Sequence, residues 1–173
     1  VQILSFSFVI GFGFSIAGAT LVGQHLGAKN TDQAKRAGWG AMRLSIISMT
    51  FFGIIITIFA EPLARFMIDN DEVVRLTVIF IWLLGSMQPL MAIEFSLGGA
   101  LRGAGDTKTP LAITLTCLLF IRVFLAVIFF LLEARIEVIF STLVADYVVK
   151  GFLYVARFKS DKWMSALKSK EAV

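Results

Sequence analysis

The chain has 173 residues, 58% hydrophobic and 16% charged, where soluble domains run near ~45–50% apolar and ~25% charged. Five apolar stretches of about 20 residues, each able to cross ~30 Å of hydrocarbon, fit this length with short loops between them, which excludes an ordinary soluble enzyme domain. The single cysteine, Cys117, lies inside an apolar run and excludes both a disulfide framework and a cysteine metal site. A net charge of +4 and a pI near 9.5 would fit nucleic acid only with the basic residues gathered on one soluble motif. They are spread over loops, so neither a nucleic-acid partner nor a cofactor is expected.

In chain order the apolar segments fall at about 2–22, 44–60, 76–101, 111–132 and 138–158. The reading is an all-α membrane bundle over residues 1–158, in contact with the lipid bilayer, and a basic tail at 159–173. The runs are too long for strands, and the alternation of a membrane β-barrel is absent from them. The first segment carries Gly11, Gly13, Gly18 and Gly23 with Ala17 and Ala19. Such residues let helix backbones approach closely in lipid, so this helix is expected to pack against others along most of its length. It has no basic n-region and does not read as a cleavable signal peptide.

Eleven of the sixteen basic residues fall in alternate loops and the tail: Lys29, Lys35, Arg36, Arg43, Arg102, Lys108, Arg157, Lys159, Lys162, Lys168 and Lys170. The intervening loops hold only Arg65, Arg75 and Arg135, opposed by Glu61, Asp69, Asp71, Glu72, Glu133 and Glu137. The positive-inside rule then places the basic loops and the C-terminus in the cytoplasm and residue 1 outside. A tally with alternating sign supports all five spans together.

Four charged residues remain inside spans: Glu94, Arg122, Asp146 and Lys150. Each needs a partner or a water-filled cavity. Asp146 and Lys150 stand i, i+4 on one helix and suit a pair, and long side chains allow Glu94 to reach Arg122. Two readings stay open here: ion pairs that lock helices together, or a cation or proton site lined by Glu94 or Asp146. Pro89 falls mid-segment, where it removes a backbone hydrogen bond and kinks the helix near Gly85, Ser86 and Gln88. Broken helices at membrane depth are where transporters place their sites. On a continuous helix, Ser86 lies 80° from Glu94 at 100° per residue, nearer than Gln88.

The stretch Leu101-Arg-Gly-Ala-Gly-Asp-Thr-Lys-Thr-Pro110 lacks the spacing of a phosphate loop. It reads as a tight hairpin in which Gly103 and Gly105 supply permissive dihedrals, Asp106 caps or turns the backbone and Pro110 opens the next helix. His25 has no second ligand at metal spacing, so no metal site is assigned to it. No nucleophile and base stand at compatible depth, and an enzyme is not expected.

Leu21-Val-Gly-Gln-His-Leu-Gly-Ala-Lys-Asn30 with Ala34 and Ala37, followed by Gly99-Ala-Leu-Arg-Gly-Ala-Gly-Asp-Thr-Lys-Thr-Pro110, resembles the multidrug and toxic compound extrusion (MATE) transporters. The motif residues are Gly23, Gln24 and Gly27, then Arg102, Gly103, Gly105 and Asp106. Arg122 in its apolar helix and Arg157-Phe-Lys-Ser-Asp-Lys-Trp163 are similar to that family as well. The resemblance implies two six-helix lobes, of which five helices of the second are present here. The first lobe of the same protein and the opening helix of the second are expected to be missing, and the chain alone is not expected to transport.

The resemblance further implies export of amphipathic, often cationic small molecules by alternating access, in exchange for sodium ions or protons, across the plasma membrane (the cell inner membrane) of a bacterium or archaeon. Its sodium-coupled branch carries an acid on the helix before the Gly-Ala-Leu-Arg-Gly motif. Here that acid is Glu94, which implies a sodium site near it, although the family position falls nearer Met91. Ion-coupling or substrate-pathway candidates are therefore Glu94, Asp146, Arg122, Lys150, Ser86 and Pro89. A lipid-linked precursor flippase of related architecture and a non-transporting membrane scaffold are the alternatives.

Overall fold

A computed structural model describes residues 2–67, 70–131 and 136–164. Asp69, Glu133, Arg135, Lys168 and Lys170, assigned to loops and tail from the sequence, lie outside the described residues. The elements are α1 (Gln2–Gly27), α2 (Thr31–Ile58), a short α3 (Ala60–Met67), α4 (Asp71–Ser86), α5 (Gln88–Gly103) and α6 (Lys108–Thr116). A π-helical stretch (Cys117–Val123) follows, then α7 (Phe124–Leu131), α8 (Ile136–Lys159) and a 3₁₀ turn at Lys162–Met164. Described residues include three helices long and apolar enough to cross a membrane, or four if α4 and α5 are one bent span. With the 24-residue α8, the architecture is that of an all-α membrane protein.

The burial pattern is inverted relative to a soluble bundle. On α1 the buried positions are Gly11, Ser15, Gly18, Val22 and Leu26, and on α2 they are Ala34, Gly38, Ala41, Ser45, Met49 and Gly53. Phe12, Ile16, Leu44, Ile47, Phe51, Ile54 and Ile58 face outward and are exposed. Large apolar side chains gain nothing by leaving lipid, whereas small ones let backbones touch. α1 and α5 do touch: a Cβ added at Gly99 would stand 2.1 Å from the Ser15 carbonyl oxygen, and one at Gly103 2.1 Å from that of Ala19. Of the small residues noted in the first segment, Gly11, Gly18, Ala19 and Gly23 form a helix–helix seam with α5, whereas Gly13 and Ala17 face outward.

Several boundaries differ from the sequence reading. The loop expected between the first two spans is a short turn, so Gly23, Gln24 and Gly27 are helical. Asn30 caps α2 with its side-chain oxygen 3.1 Å from the Gln33 N–H, and the buried stripe of α2 begins already at Ala34. Segment 76–101 is two helices meeting at Met87 with a 49° bend. Pro89 lies in the first turn of α5 rather than mid-helix, where its missing N–H costs nothing. α3 was not foreseen; Arg65 donates to Glu61 at 3.0 Å and to Asp71 at 3.1 Å, tying it to the start of α4. The fourth span is α-helical only at its ends.

The two motif loops fold as the same helix stop. In α5 the Asp106 N–H donates to the Leu101 carbonyl and the Gly105 N–H to that of Arg102, both at 3.0 Å, with Gly105 at φ 85°. In α1 the Asn30 N–H reaches His25 and the Lys29 N–H reaches Leu26, both at 2.9 Å, with Lys29 at φ 58°. This is the Schellman pattern, which needs a left-handed residue one place past the cap. Gly105 meets that need without a Cβ clash.

Gly99→Ala is expected to force α1 off α5 and to destabilise the bundle by about 1–3 kcal/mol, the usual cost of overpacking. Gly13→Ala, with nothing within 4 Å of the added carbon, should leave stability unchanged. Unfolding in a detergent titration reads both; equal stability of the two variants would contradict the seam.

Candidate functional site within the bundle

α5 and α8 bring three of the four intramembrane charges together. The Lys150 ammonium donates to Asp146 Oδ2 at 2.8 Å and stands 4.0 Å from Glu94 Oε1. The side chain of Asp146 is fully buried, that of Lys150 is 6% exposed and that of Glu94 21%. Asp146 and Lys150 meet because i, i+4 positions share a helix face. The approach of Glu94 depends on how α5 crosses α8, which no spacing in the sequence encodes. The Lys150 nitrogen also lies 5.3 Å from the centre of the Tyr147 ring, within cation–π range. Asp146 Oδ1 is buried and accepts no hydrogen bond from any described residue.

Arg122 does not join this cluster. It carries no ion pair among the described residues and is exposed on the π-helical stretch, so the expected Glu94–Arg122 pairing is replaced by Glu94 with Lys150. A π turn closes one residue later than an α turn, and the face Arg122 presents is therefore not the one a straight helix from Pro110 predicts. Arg122 instead lines a cavity of about 180 Å³ with Phe8, Phe80, Gln88, Met91 and Tyr147. Gln88 Oε1 is buried there without a hydrogen-bond partner among the described residues. Met91, the position nearer the family acid, is buried beside that cavity.

Ser86 and Glu94 lie on opposite sides of the bend at Met87, on α4 and α5. The bend at Met87 breaks the continuous wheel on which the two were neighbours, and the Ser86 hydroxyl donates to the Leu83 carbonyl at 2.7 Å. Ser86 and Pro89 line a shallow apolar cleft with Thr57, Trp82 and Gly85. Tyr147 was missed by the sequence reading. Its position three residues before Lys150 was the available signal, since i, i+3 side chains are neighbours on a helix.

A second polar cluster holds the end of the bundle where the motif turns lie. Asp106 Oδ1 accepts the Thr109 N–H at 3.2 Å, and Oδ2 accepts the Thr109 hydroxyl at 2.9 Å, so it caps α6 as its position suggested. Arg157 of α8 donates to the same Oδ2 from Nη2 at 2.6 Å and from Nε at 3.0 Å. Arg102 reaches the Ser15 hydroxyl at 2.9 Å. Beyond α8 the chain turns back: Asp161 pairs with Lys35, and buried Trp163 donates to the Phe158 carbonyl at 2.8 Å while stacking on its ring at 4.8 Å. The first residues of the predicted basic tail are thus packed against the bundle.

An apolar all-helical bundle with a bent span, a π-helical stretch and buried charged side chains has the architecture of an all-α membrane protein. The MatE family pattern matches residues 1–128. The chain belongs to the MATE family, as the two loop motifs implied. It is 33% identical over 172 residues to the probable multidrug resistance protein NorM of Thermotoga maritima, covering 94% of this chain and 35% of that protein. Similarity to the multidrug resistance protein NorM of Aliivibrio fischeri is 31% over 106 residues, 61% of this chain and 23% of the relative. For the mouse multidrug and toxin extrusion protein 2 the figures are 24% over 107 residues, 62% and 19%. The chain thus spans about a third or less of the length of these relatives.

Burial pushes the Asp106 carboxyl upward, but the bonds from Arg157 and from the Thr109 hydroxyl and N–H outweigh it and hold the group below the usual carboxylate range. A depressed folded value means that the stabilisation is complete at neutral pH and is lost as pH falls through the ordinary aspartate range near ~4 toward the folded value. Asp106→Asn should cost roughly 1.5–3 kcal/mol at neutral pH, the range for charge-assisted hydrogen bonds, and should flatten the acid limb of a detergent melting profile. An acid limb unchanged in the variant would show that Asp106 does not carry it.

Proposed function

We propose that this chain is the C-terminal part of a secondary active exporter that expels amphipathic or cationic small molecules by alternating access, in exchange for sodium ions or protons. The observation that carries the proposal is the Glu94–Lys150–Asp146 cluster, which joins two helices by charge at a depth where charge is costly. Membership of a family whose relatives bear the names of multidrug resistance and extrusion proteins supports the substrate class. The bent α4–α5 span and the cavity bearing Gln88 and Arg122 belong to the same region, which fits the placing of transporter sites at broken helices. The missing partner in this reading is the N-terminal lobe of the same protein, against which this bundle rocks.

The same proposal places the protein in the plasma membrane of a bacterium or archaeon, with the Asp106–Arg157 end in the cytoplasm, because that end carries the basic loops. With Cys117 replaced, a cysteine introduced at Lys168 is expected to resist an impermeant external reagent, and one at Asn70 to react. Reversed labelling would overturn the orientation.

The coupling role is tested in the full-length transporter, carrying Glu94→Gln or Asp146→Asn as single changes. Both should be expressed, and at least one should lose most of its gradient-driven efflux of a cationic dye. Normal efflux by both would return the cluster to helix pairing alone. Transport of a lipid-linked precursor instead of the dye would favour the flippase reading.

A further inference from the structure

The Lys150 nitrogen occupies a position with the attributes of a site for a free monovalent cation. One carboxylate oxygen lies at 2.8 Å, a second at 4.0 Å, and an aromatic face has its centre at 5.3 Å. An ammonium has three donors and no acceptor, and it behaves as a compact point charge. This one is tethered to α8, so it cannot exchange with the solution.

We infer that Lys150 is a built-in cation that excludes sodium from the Glu94–Asp146 pair and leaves a proton, held on Glu94, as the ion this cluster binds. The inference rests on the proposed coupling role of the cluster and adds what selects the ion. With all three groups charged, the cluster keeps one negative charge in a region where charge is costly. One further monocation restores neutrality. Sodium, a hard cation like calcium and magnesium, needs several oxygen ligands. Here it would have to share two carboxylates with an ammonium already bonded to one of them, at like-charge contact.

A proton removes the remaining charge without placing a second cation beside the first. Glu94 is the group to take it. Asp146 is fully buried and directly bonded to Lys150, while Glu94 is farther from the ammonium and partly exposed. The other charged and titratable groups around Glu94 are Arg102 on its own helix, Tyr147 on α8, and Arg122 and Cys117 on the π-helical stretch. From α2, Ser45 reaches the neighbouring Ala92 carbonyl at 3.3 Å.

The test is an infrared titration of the full 173-residue chain in lipid nanodiscs, following the C=O stretch of a protonated carboxylic acid with sodium chloride or choline chloride at equal ionic strength. The expected result is a titrating band that Glu94→Gln removes and whose midpoint is the same in both salts. In Lys150→Met sodium should compete with the proton, lowering the midpoint by up to ~1 pH unit per tenfold sodium once its site is saturated. Lys150→Arg, which keeps the charge, should remain insensitive to sodium. A wild-type midpoint that falls with sodium, a band unaffected by Glu94→Gln, or a Lys150→Met protein as insensitive to sodium as wild type would overturn the inference. A wild-type midpoint that falls with sodium overturns the inference even if Lys150→Met does not fold, and Lys150→Gln then replaces that variant. Loss of efflux in Glu94→Gln with a sodium-shifted wild-type titration would retain coupling at the cluster and overturn the role of Lys150. Intact efflux with a sodium-insensitive titration would do the reverse.

Discussion

Contact between the backbones of α1 and α5 is the constraint from which the rest of the bundle is built. Lipid gives no reward for burying Leu or Phe between helices, so cohesion has to come from close packing and from polar contacts. Gly99 and Gly103 meet the Ser15 and Ala19 carbonyls where a methyl group would clash. That approach lets Arg102 reach the Ser15 hydroxyl. It also leaves the opposite side of α5 to face α8, and so puts Glu94 within reach of Lys150.

The two ends of α8 perform different work. Toward the motif turns, Arg157 clamps the Asp106 carboxylate that caps α6, and Trp163 stacks back on Phe158, whose ring also meets Trp39 edge-on at 5.3 Å. These contacts join the α1–α2 side, the α5–α6 turn and the end of α8 into one block. Deeper in the bundle α8 carries Asp146 and Lys150, where low dielectric makes each unpaired atom costly. Asp146 Oδ1 and Gln88 Oε1 are both buried and have no hydrogen-bond partner among the described residues.

The membrane character, the helical class and the motif turns were legible in the sequence because each depends on local information. Apolar run length sets spanning capacity, and the glycine spacing of α1 announces close packing before its partner is known. Gly-Ala-Gly-Asp specifies a Schellman stop followed by a capped helix through the dihedral freedom of Gly105 and the acceptor of Asp106. The i, i+4 pairing of Asp146 with Lys150 was readable for the same reason.

The tertiary structure decided everything that crosses between helices. The span bends by 49° at Met87, between Ser86 and Glu94, and a wheel drawn through a bend does not assign faces across it. Arg122 stands on a π-helical stretch that apolar run length does not reveal, and it forms no ion pair with Glu94 among the described residues. Lys150 then became the shared partner of both carboxylates, a choice set by the crossing of α5 and α8. Periodicity along one helix fixes which residues share a face; it carries no information on which face of another helix they meet, because that depends on the packing of several side chains at once.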